Sequence, residues 1–247
     1  MSTAPLEVVF FDVGGTLVRV EPSVASVYAR FARAHGFELD PAAIQTRFRE
    51  AWSHSLRRSH ARGFRTSDQI LRDEWLAIVR DSLGAAVPAE ALGPLFDQLY
   101  DHFLGANAWT LVPGTLETLR FLRSKGLRLG VLSNWDARLR HLLAELELDR
   151  ELDFIVISHE VGYEKPHERI FLEALSQARA NPSSTLHVGD SFSADIEPAQ
   201  QLGMRTLWLA GDEEKNARTY RGWHAPVLPD CSEPFWAAAL SGEVTPG

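Results

Sequence analysis

Several polar or charged side chains stand just after short apolar runs of the sequence, where buried strands of a parallel sheet would end. Three of these runs are followed directly by polar residues: an aspartate, a serine-asparagine pair and a second aspartate. A lysine and a third aspartate come a few residues after predicted strands. These residues are Asp12, Ser133, Asn134, Lys165, Asp190 and Asp195. Ligands of open α/β sheets bind outside the carboxyl ends of the strands, so we expect these side chains to share one crevice.

Such a set of side chains suits phosphoryl transfer. A carboxylate such as Asp12 can act as a covalent nucleophile, but it repels a phosphate dianion. A divalent cation held by Asp12 and Asp190 would remove that repulsion, and Mg²⁺ suits ligands that are all oxygen. Lys165 would neutralise the remaining charge, and Ser133 and Asn134 would donate hydrogen bonds to the phosphoryl oxygens.

Two glycines follow the first aspartate and predict a loop that curls close to a ligand. Gly14 and Gly15 carry no side chain, so their backbone amides can face an anion. We therefore expect this loop to contribute to phosphate binding.

The elements that position these residues alternate between strand and helix after residue 106. Buried strands are predicted over residues 6–11, 127–132, 154–157, 186–188 and 206–209. Helical patterns, including 137–147, 168–180 and 194–202, lie between the later strands. This alternation predicts an α/β fold with a Rossmann-like, doubly wound parallel sheet.

A long helical segment separates the first strand from the others. Residues 20–105 show apolar residues at helical spacing, and helix starts are marked by Asp40-Pro41, Ser67 and Pro88. A segment of this length is too long for a loop. We predict an all-helical cap domain over 20–105, inserted into a core of residues 1–19 and 106–247, that closes over the crevice as a lid. One further short helix is predicted at 234–240.

Composition narrows the function further. The chain has 247 residues, a formal net charge of −8 and one cysteine, Cys231, so an internal disulfide or a cysteine metal cluster is excluded. The acidic balance argues against nucleic-acid binding. The apolar runs are too short to cross a membrane, and the N-terminus lacks the pattern of a signal peptide. We expect a cytoplasmic monomer or homodimer that acts on a small phosphorylated substrate.

Four ordered motifs carry a family resemblance. The strings FFDVGGTL, VLSN, GYEKPHERIF and HVGDSFSADI resemble the motifs of the haloacid dehalogenase (HAD) superfamily, and the resemblance spans essentially the whole chain. It implies that Asp12 is the nucleophile and first Mg²⁺ ligand and that the Gly14 carbonyl is a second ligand. It also implies that Asp190 binds the metal directly and Asp195 lies in or just outside the metal shell. Ser133 and Lys165 match the phosphate-binding hydroxyl and the charge-neutralising lysine, and Thr16 matches a residue that holds the nucleophile loop.

The sequence departs from the pattern of the superfamily's phosphatases at Gly14. Those phosphatases read DxDGT, and their second aspartate protonates the leaving group and then activates water. Loss of a general acid/base typically lowers the rate by about 10²–10⁴-fold, so a slow phosphatase is the leading prediction. Two alternatives remain: a metal-independent dehalogenase-type hydrolase, and a catalytically weak protein that binds a phosphometabolite or a protein partner.

The predicted cap contains a basic stretch. Residues 47–65 hold six arginines and two histidines against one acid, Glu50. This stretch is either a solvated helix face or a surface that steers anionic substrates into the crevice.

Overall fold

A six-stranded parallel sheet forms the centre of the molecule. The structure is a computed structural model, and it describes residues 4–210, 223–225, 236 and 239–240. The strands are β1 (Val8–Phe11), β2 (Val18–Val20), β3 (Trp109–Leu111), β4 (Arg128–Ser133), β5 (Phe154–Ile157), β6 (Thr185–Gly189), β7 (Arg205–Leu209) and β8 (Trp223–Ala225). The order in the main sheet is β5-β4-β1-β6-β7-β8, and every neighbouring pair is parallel. The predicted doubly wound α/β fold is confirmed.

Helices cover this sheet and form the inserted segment. They are α1 (Val24–Ala34), α2 (Pro41–Ala61), α3 (Asp68–Leu83), α4 (Ala89–His102), α5 (Thr115–Ser124), α6 (Arg138–Glu145), α7 (Ser158–Val161), α8 (Glu168–Ala178) and α9 (Glu197–Gln201). None of them is long and apolar enough to cross a membrane.

Strand β1 is buried on both faces, which explains its unbroken apolar sequence. Successive side chains of a strand point to opposite faces. Val9 and Phe11 pack into the core that includes Leu119 and Leu142 of α5 and α6. Val8 and Phe10 pack into a second core, on the side of α8. Burial of each such side chain contributes about 1.5–3 kcal/mol, so the two cores fix β1 at the centre of the sheet.

The inserted segment is helical, as predicted, and its helices begin where capping residues occur. Ser23, Asp40 and Ser67 each accept a hydrogen bond from a backbone N–H in the first turn of α1, α2 and α3. The helices pack around Tyr28, which is fully buried and makes edge-to-face contacts with Phe48, Trp75 and Phe103. The domain boundaries at residues 19/20 and 105/106 remain a prediction.

A two-stranded antiparallel ribbon marks the ends of the helical segment. Strands β2 and β3 pair Val18 with Leu111 and Val20 with Trp109. The sequence did not predict these strands, because three residues are too few to show a period-2 pattern. The chain passes from the sheet into the helical segment through β2 and returns through β3, so the ribbon pairs these two connecting segments.

The helix predicted over 194–202 is two elements. Residues 192–196 form a π-helical turn, and α9 follows from Glu197. The Ser191 hydroxyl accepts from the N–H of Ala194 at 3.2 Å and begins this turn. π-helical turns are common at functional sites, and this one buries the side chain of Asp195. The predicted helix at 234–240 lies mostly outside the described residues.

Candidate active site

Asp12 lies at the centre of the candidate site, directly after β1. Its backbone N–H donates to the carbonyl of Val188 at 2.8 Å, so β1 and β6 end at the same edge of the sheet. The Asp12 carboxylate is buried, and its Oδ1 accepts hydrogen bonds from Ser133 Oγ at 2.9 Å and from Lys165 Nζ at 2.8 Å. Strands β1 and β4 and the loop before α8 therefore meet at one carboxylate oxygen.

Lys165 links two of the aspartates. Its Nζ lies 2.5 Å from Asp195 Oδ1 as well as 2.8 Å from Asp12, and its side chain is 3% exposed. Burial opposes the charge of an ammonium, but the two carboxylates outweigh this effect and raise the pKa of Lys165. Lys165 is therefore a fixed positive charge beside Asp12.

Asn134 positions the lysine. Its side-chain Oδ1 accepts from the backbone N–H of Lys165 at 2.6 Å, and its Nδ2 donates to the Lys165 carbonyl at 2.9 Å. These two bonds join the end of β4 to the lysine loop. In this structure both polar atoms of the Asn134 side chain bind the backbone of Lys165. The predicted hydrogen bond from Asn134 to a phosphoryl oxygen stays a prediction.

A third aspartate completes an acidic cluster at this edge. Oxygen atoms of Asp12, Asp190 and Asp195 all lie within 4.8 Å of one another. Asp195 is buried, and Asp190 is exposed. Proximity of the three carboxylates agrees with the placement expected from the strand ends.

His187 is a site residue that the sequence did not predict. It is fully buried on β6, and its Nε2 lies 3.1 Å from Asp195 Oδ1. A polar residue in the otherwise apolar strand pattern Leu186-His187-Val188 was the available signal. A chain of contacts thus runs from His187 through Asp195 and Lys165 to Asp12.

The carboxylates differ in their electrostatics. Burial, and then the negative charge of Asp195, raise the pKa of Asp12, although Lys165 acts in the opposite direction. Burial would raise the pKa of Asp195 too, but the charge of Lys165 and the hydrogen bond with His187 outweigh it and lower that pKa to about 2. Partial desolvation, together with the charges of Asp12 and Asp195, raises the pKa of Asp190 to about 7.

The donor set fits a divalent cation. Three carboxylates face one ammonium, which leaves two negative charges when all are ionised. The candidate ligand atoms are all oxygen, which is the preference of Mg²⁺. The Asp190 carboxylate accepts a hydrogen bond from its own backbone N–H, and no other described residue donates to it, so it keeps acceptor capacity for an ion.

The glycine loop is held close to this cluster. Gly15 adopts φ +82°, and a Cβ there would collide with the Asp190 carboxylate, so only glycine fits. Its N–H donates to the Val18 carbonyl at 2.8 Å. The Gly15 N–H was expected to face a phosphate, but in this structure it is already hydrogen-bonded within the loop. Thr16 is fully buried, and its N–H donates to Val13 at 3.3 Å, in keeping with a loop-holding role.

Trp135 covers the position at which the superfamily's phosphatases carry their second aspartate. A Cβ built on Gly14 would lie 3.4 Å from Cζ3 of Trp135. The Gly14 backbone is not in the left-handed region, and a Cβ there would meet the indole at van der Waals distance, so the indole lines the space that a side chain at this position would enter. The Trp135 ring in turn packs on Trp109, with centroids 4.9 Å apart.

Two arginines of the basic stretch form salt bridges with glutamates of the same chain. Arg58 and Arg62 both pair with Glu74 at 2.6 Å, and Arg62 lies 3.8 Å from Glu164. Ser59 donates to the same Glu164 carboxylate. Glu164 immediately precedes Lys165, so this group joins α2 to the lysine loop.

We expect Glu164→Ala to lower the free energy of unfolding by about 1–3 kcal/mol, because the buried Ser59 hydroxyl would lose its acceptor. Glu164→Gln should cost less, since an amide oxygen still accepts from Ser59 and Arg62 retains Glu74. Urea unfolding measures both values. Glu50→Ala, at an exposed position of the same helix, is the control. Equal values for Glu164→Ala and Glu50→Ala would show that the contact contributes nothing.

A parallel α/β core, a helical insertion and aspartates at the strand ends define the class of hydrolases to which the chain is similar. Residues 6–203 match the model of the haloacid dehalogenase-like hydrolase family, and the chain belongs to that family. The human haloacid dehalogenase-like hydrolase domain-containing protein 3 is 36% identical over 208 residues, which cover 82% of this chain and 81% of the human protein. The family resemblance expected from the four motifs is confirmed.

Solved structures show the same fold. A HAD-type hydrolase from Bacillus subtilis, solved bound to magnesium, superposes with a TM-score of 0.68 at 19% identity, covering 91% of this chain and 96% of that one. A defluorinating L-2-haloacid dehalogenase gives a TM-score of 0.73 at 21% identity and covers 95% of each chain. At these identities the likeness establishes the fold and leaves the reaction to be argued from the site.

Proposed function

We propose that this hydrolase is a magnesium-dependent phosphatase that acts on a small phosphorylated metabolite through an aspartyl-phosphate on Asp12. The observation that carries the proposal is the bonding of the Asp12 carboxylate. Oδ1 accepts from both Ser133 and Lys165, whereas Oδ2 accepts from no described residue. Oδ2 is therefore the oxygen free to attack.

In the first half-reaction, Asp12 Oδ2 forms a bond to phosphorus as the bond from phosphorus to the leaving oxygen breaks. The leaving group departs with the electron pair of that bond. Lys165 holds the carboxylate in place and offsets the negative charge gathered at the site, and Ser133 orients the carboxylate. In-line attack places the leaving group on the side of the phosphorus opposite to Asp12.

In the second half-reaction, water attacks the same phosphorus and the bond to Asp12 Oδ2 breaks. Inorganic phosphate leaves, the proton lost by water passes to phosphate or solvent, and the Asp12 carboxylate is restored. The position of Gly14 supplies no general base for this water, so we expect hydrolysis of the intermediate to be the slower half.

Mg²⁺ would be held by Asp12, Asp190 and the Gly14 carbonyl, with Asp195 in or next to its shell. When bound, it screens the repulsion between Asp12 and the phosphate oxygens. The remaining negative charge of the cluster supports this assignment, and so does the Asp190 carboxylate, to which no other described residue donates a hydrogen bond.

We expect a panel of small phosphorylated metabolites to release phosphate only when Mg²⁺ is present. Asp190→Asn should weaken Mg²⁺ binding at least as much as changes in residues around metal ligands do, which is about 10- to 100-fold. Calorimetry measures the affinity, and phosphate release measures the rate. Asp101→Asn, at an exposed position, should alter neither.

Other outcomes would favour the alternative functions. Halide release from 2-haloacids in the presence of a chelator would indicate that Asp12 attacks carbon without a metal. Mg²⁺ binding without turnover of any compound would indicate a binding protein. Unchanged Mg²⁺ affinity in Asp190→Asn would contradict the metal assignment.

A further inference from the structure

Trp135 is held rigidly beside the nucleophile loop. Its backbone N–H donates to Ser158 Oγ at 3.0 Å, and the same hydroxyl donates back to its carbonyl at 3.1 Å. The indole packs on Trp109 on one side. Apart from its chain neighbours, Trp135 is the only described residue with an atom within 4 Å of where a Gly14 Cβ would be.

The indole is also available to a ligand. Trp135 and Gly14 are both half-buried, so neither is sealed in the core. The indole N–H donates to no described residue, and Cζ3 of the ring lies 3.4 Å from where a Gly14 Cβ would be, so the ring face is within reach of a group bound over the nucleophile loop.

Two proton donors of the site, Ser133 and Lys165, point at the nucleophile and not at a departing alcohol. The Ser133 hydroxyl and the Lys165 ammonium donate to Asp12 itself. In-line displacement puts the leaving group opposite the nucleophile. On the side of Gly14, the described residue that fills the space is Trp135, and an indole carbon cannot donate a proton.

We propose that Trp135 determines the leaving group, so that this site takes phosphate esters of planar, acidic hydroxyl groups, such as aryl or enol phosphates, with the planar group stacked on the indole. This inference rests on the phosphatase activity proposed above and names its substrate class.

The chemistry of the first half-reaction explains the requirement for an acidic leaving group. As Asp12 Oδ2 bonds to phosphorus, the ester oxygen takes the electron pair of the breaking bond. An alkoxide is strongly basic and needs a proton at that moment. A phenolate or enolate spreads the charge over its π system and can leave without one, so the missing acid costs little.

The geometry of the indole explains the preference for a planar group. Aromatic pairs contribute about 0.5–1.5 kcal/mol beyond the burial of area. This range corresponds to a change of about 2- to 10-fold in kcat/KM at 1.36 kcal/mol per decade. A flat leaving group gains this contact, and a small acyl or alkyl group does not.

The first experiment uses the wild-type protein with Mg²⁺. We measure kcat/KM for substituted phenyl phosphates of increasing leaving-group basicity, for glycerol phosphate and for acetyl phosphate. The expected result is a steep fall of kcat/KM with leaving-group basicity, with glycerol phosphate below the phenyl esters by about the 10²–10⁴-fold that a general acid usually supplies. Acetyl phosphate has an acidic leaving group without a ring and should also be turned over.

The second experiment compares Trp135→Leu, Trp135→Phe and Trp52→Leu. Trp135→Leu should lower kcat/KM for the phenyl esters by about 2- to 10-fold more than it lowers kcat/KM for acetyl phosphate, whereas Trp135→Phe should retain much of the wild-type value. Trp52 is 46% exposed on α2 and serves as the matched control.

Two results would overturn the inference. One is equal kcat/KM for alkyl and aryl esters in the wild-type protein, which requires no variant to fold. The other is an equal loss for phenyl esters and acetyl phosphate in Trp135→Leu. Failure of the proposed function is distinguishable, because no phosphate would then be released from any of these compounds.

Discussion

Asp12→Asn should abolish the covalent step and lower kcat by on the order of 10⁴–10⁶-fold, the range found when a catalytic group of a covalent hydrolase is removed. An amide oxygen is a poor nucleophile, and no other described carboxylate accepts the same pair of hydrogen bonds from Ser133 and Lys165. Wild-type protein mixed with an aryl phosphate should release about one equivalent of phenol in a burst and then turn over slowly. The variant should show no burst.

The fold should tolerate this change. Asparagine retains an oxygen that accepts from Ser133, and Lys165 keeps its partner Asp195. Burial raises the pKa of Asp12, so the charged carboxylate is unfavourable in the folded protein and a neutral side chain should not lower the free energy of unfolding. Rapid-quench kinetics and thermal unfolding measure the two effects, with Asp101→Asn as control. A variant that retains the burst would show that Asp12 is not the nucleophile.

Lys165→Met should lower the free energy of unfolding at neutral pH by about 3–5 kcal/mol, as expected when one partner of a buried ion pair is removed. The loss would leave the carboxylates of Asp12 and Asp195 close together without their shared cation. Turnover should fall as well, because the Asp12 carboxylate would lose its neutralising charge and one of its two hydrogen-bond donors.

The stability loss should shrink as the pH falls. In the wild-type protein, burial would raise the pKa of Asp195, but the charge of Lys165 and the hydrogen bond with His187 outweigh it and hold that pKa at about 2. Asp195 therefore contributes stability above the pKa of an unfolded aspartate, about 3.9, and this contribution is lost as the pH falls towards 2. In Lys165→Met, Asp195 loses the charge and the hydrogen bond of Lys165, and only His187 still opposes burial. The pKa of Asp195 should therefore rise, so that protonation relieves part of the loss in the variant on acidification.

Urea unfolding between pH 7 and pH 4 measures this convergence. Lys125→Met is the control, since Lys125 is exposed and the same change there removes no buried pair. A stability difference from wild type that stays constant over this pH range would show that the carboxylates are not the source of the loss.

The sequence determined the sheet and the position of its carboxyl edge. The apolar runs before Asp12, Ser133 and Asp190 are long enough to predict buried strands, and parallel strands necessarily present their ends at one edge. The four helices of the inserted segment were predictable for a similar reason. Their capping residues and 3.6-residue periodicity are local signals that need no tertiary contact.

Pairings between distant segments were decided by the tertiary structure. Nothing local in the sequence indicates that Asn134 binds the backbone of Lys165, that His187 contacts Asp195, or that Glu164 binds α2. Each of these contacts depends on the relative position of two elements far apart in the chain. Strands β2 and β3 were missed because they become strands only by pairing with each other across the helical insertion.

The surroundings of Gly14 show most clearly the difference between what the local sequence predicts and what the tertiary structure decides. The resemblance to the superfamily's phosphatases implies that an acidic side chain is missing two residues after Asp12, and it predicts a slow reaction from that absence. Only the fold shows what fills the space, because Trp135 follows a different strand and reaches Gly14 when β4 lies next to β1. Residue types and local periodicity fix which chemical groups are present and on which element they lie, whereas packing between elements decides which of those groups meet.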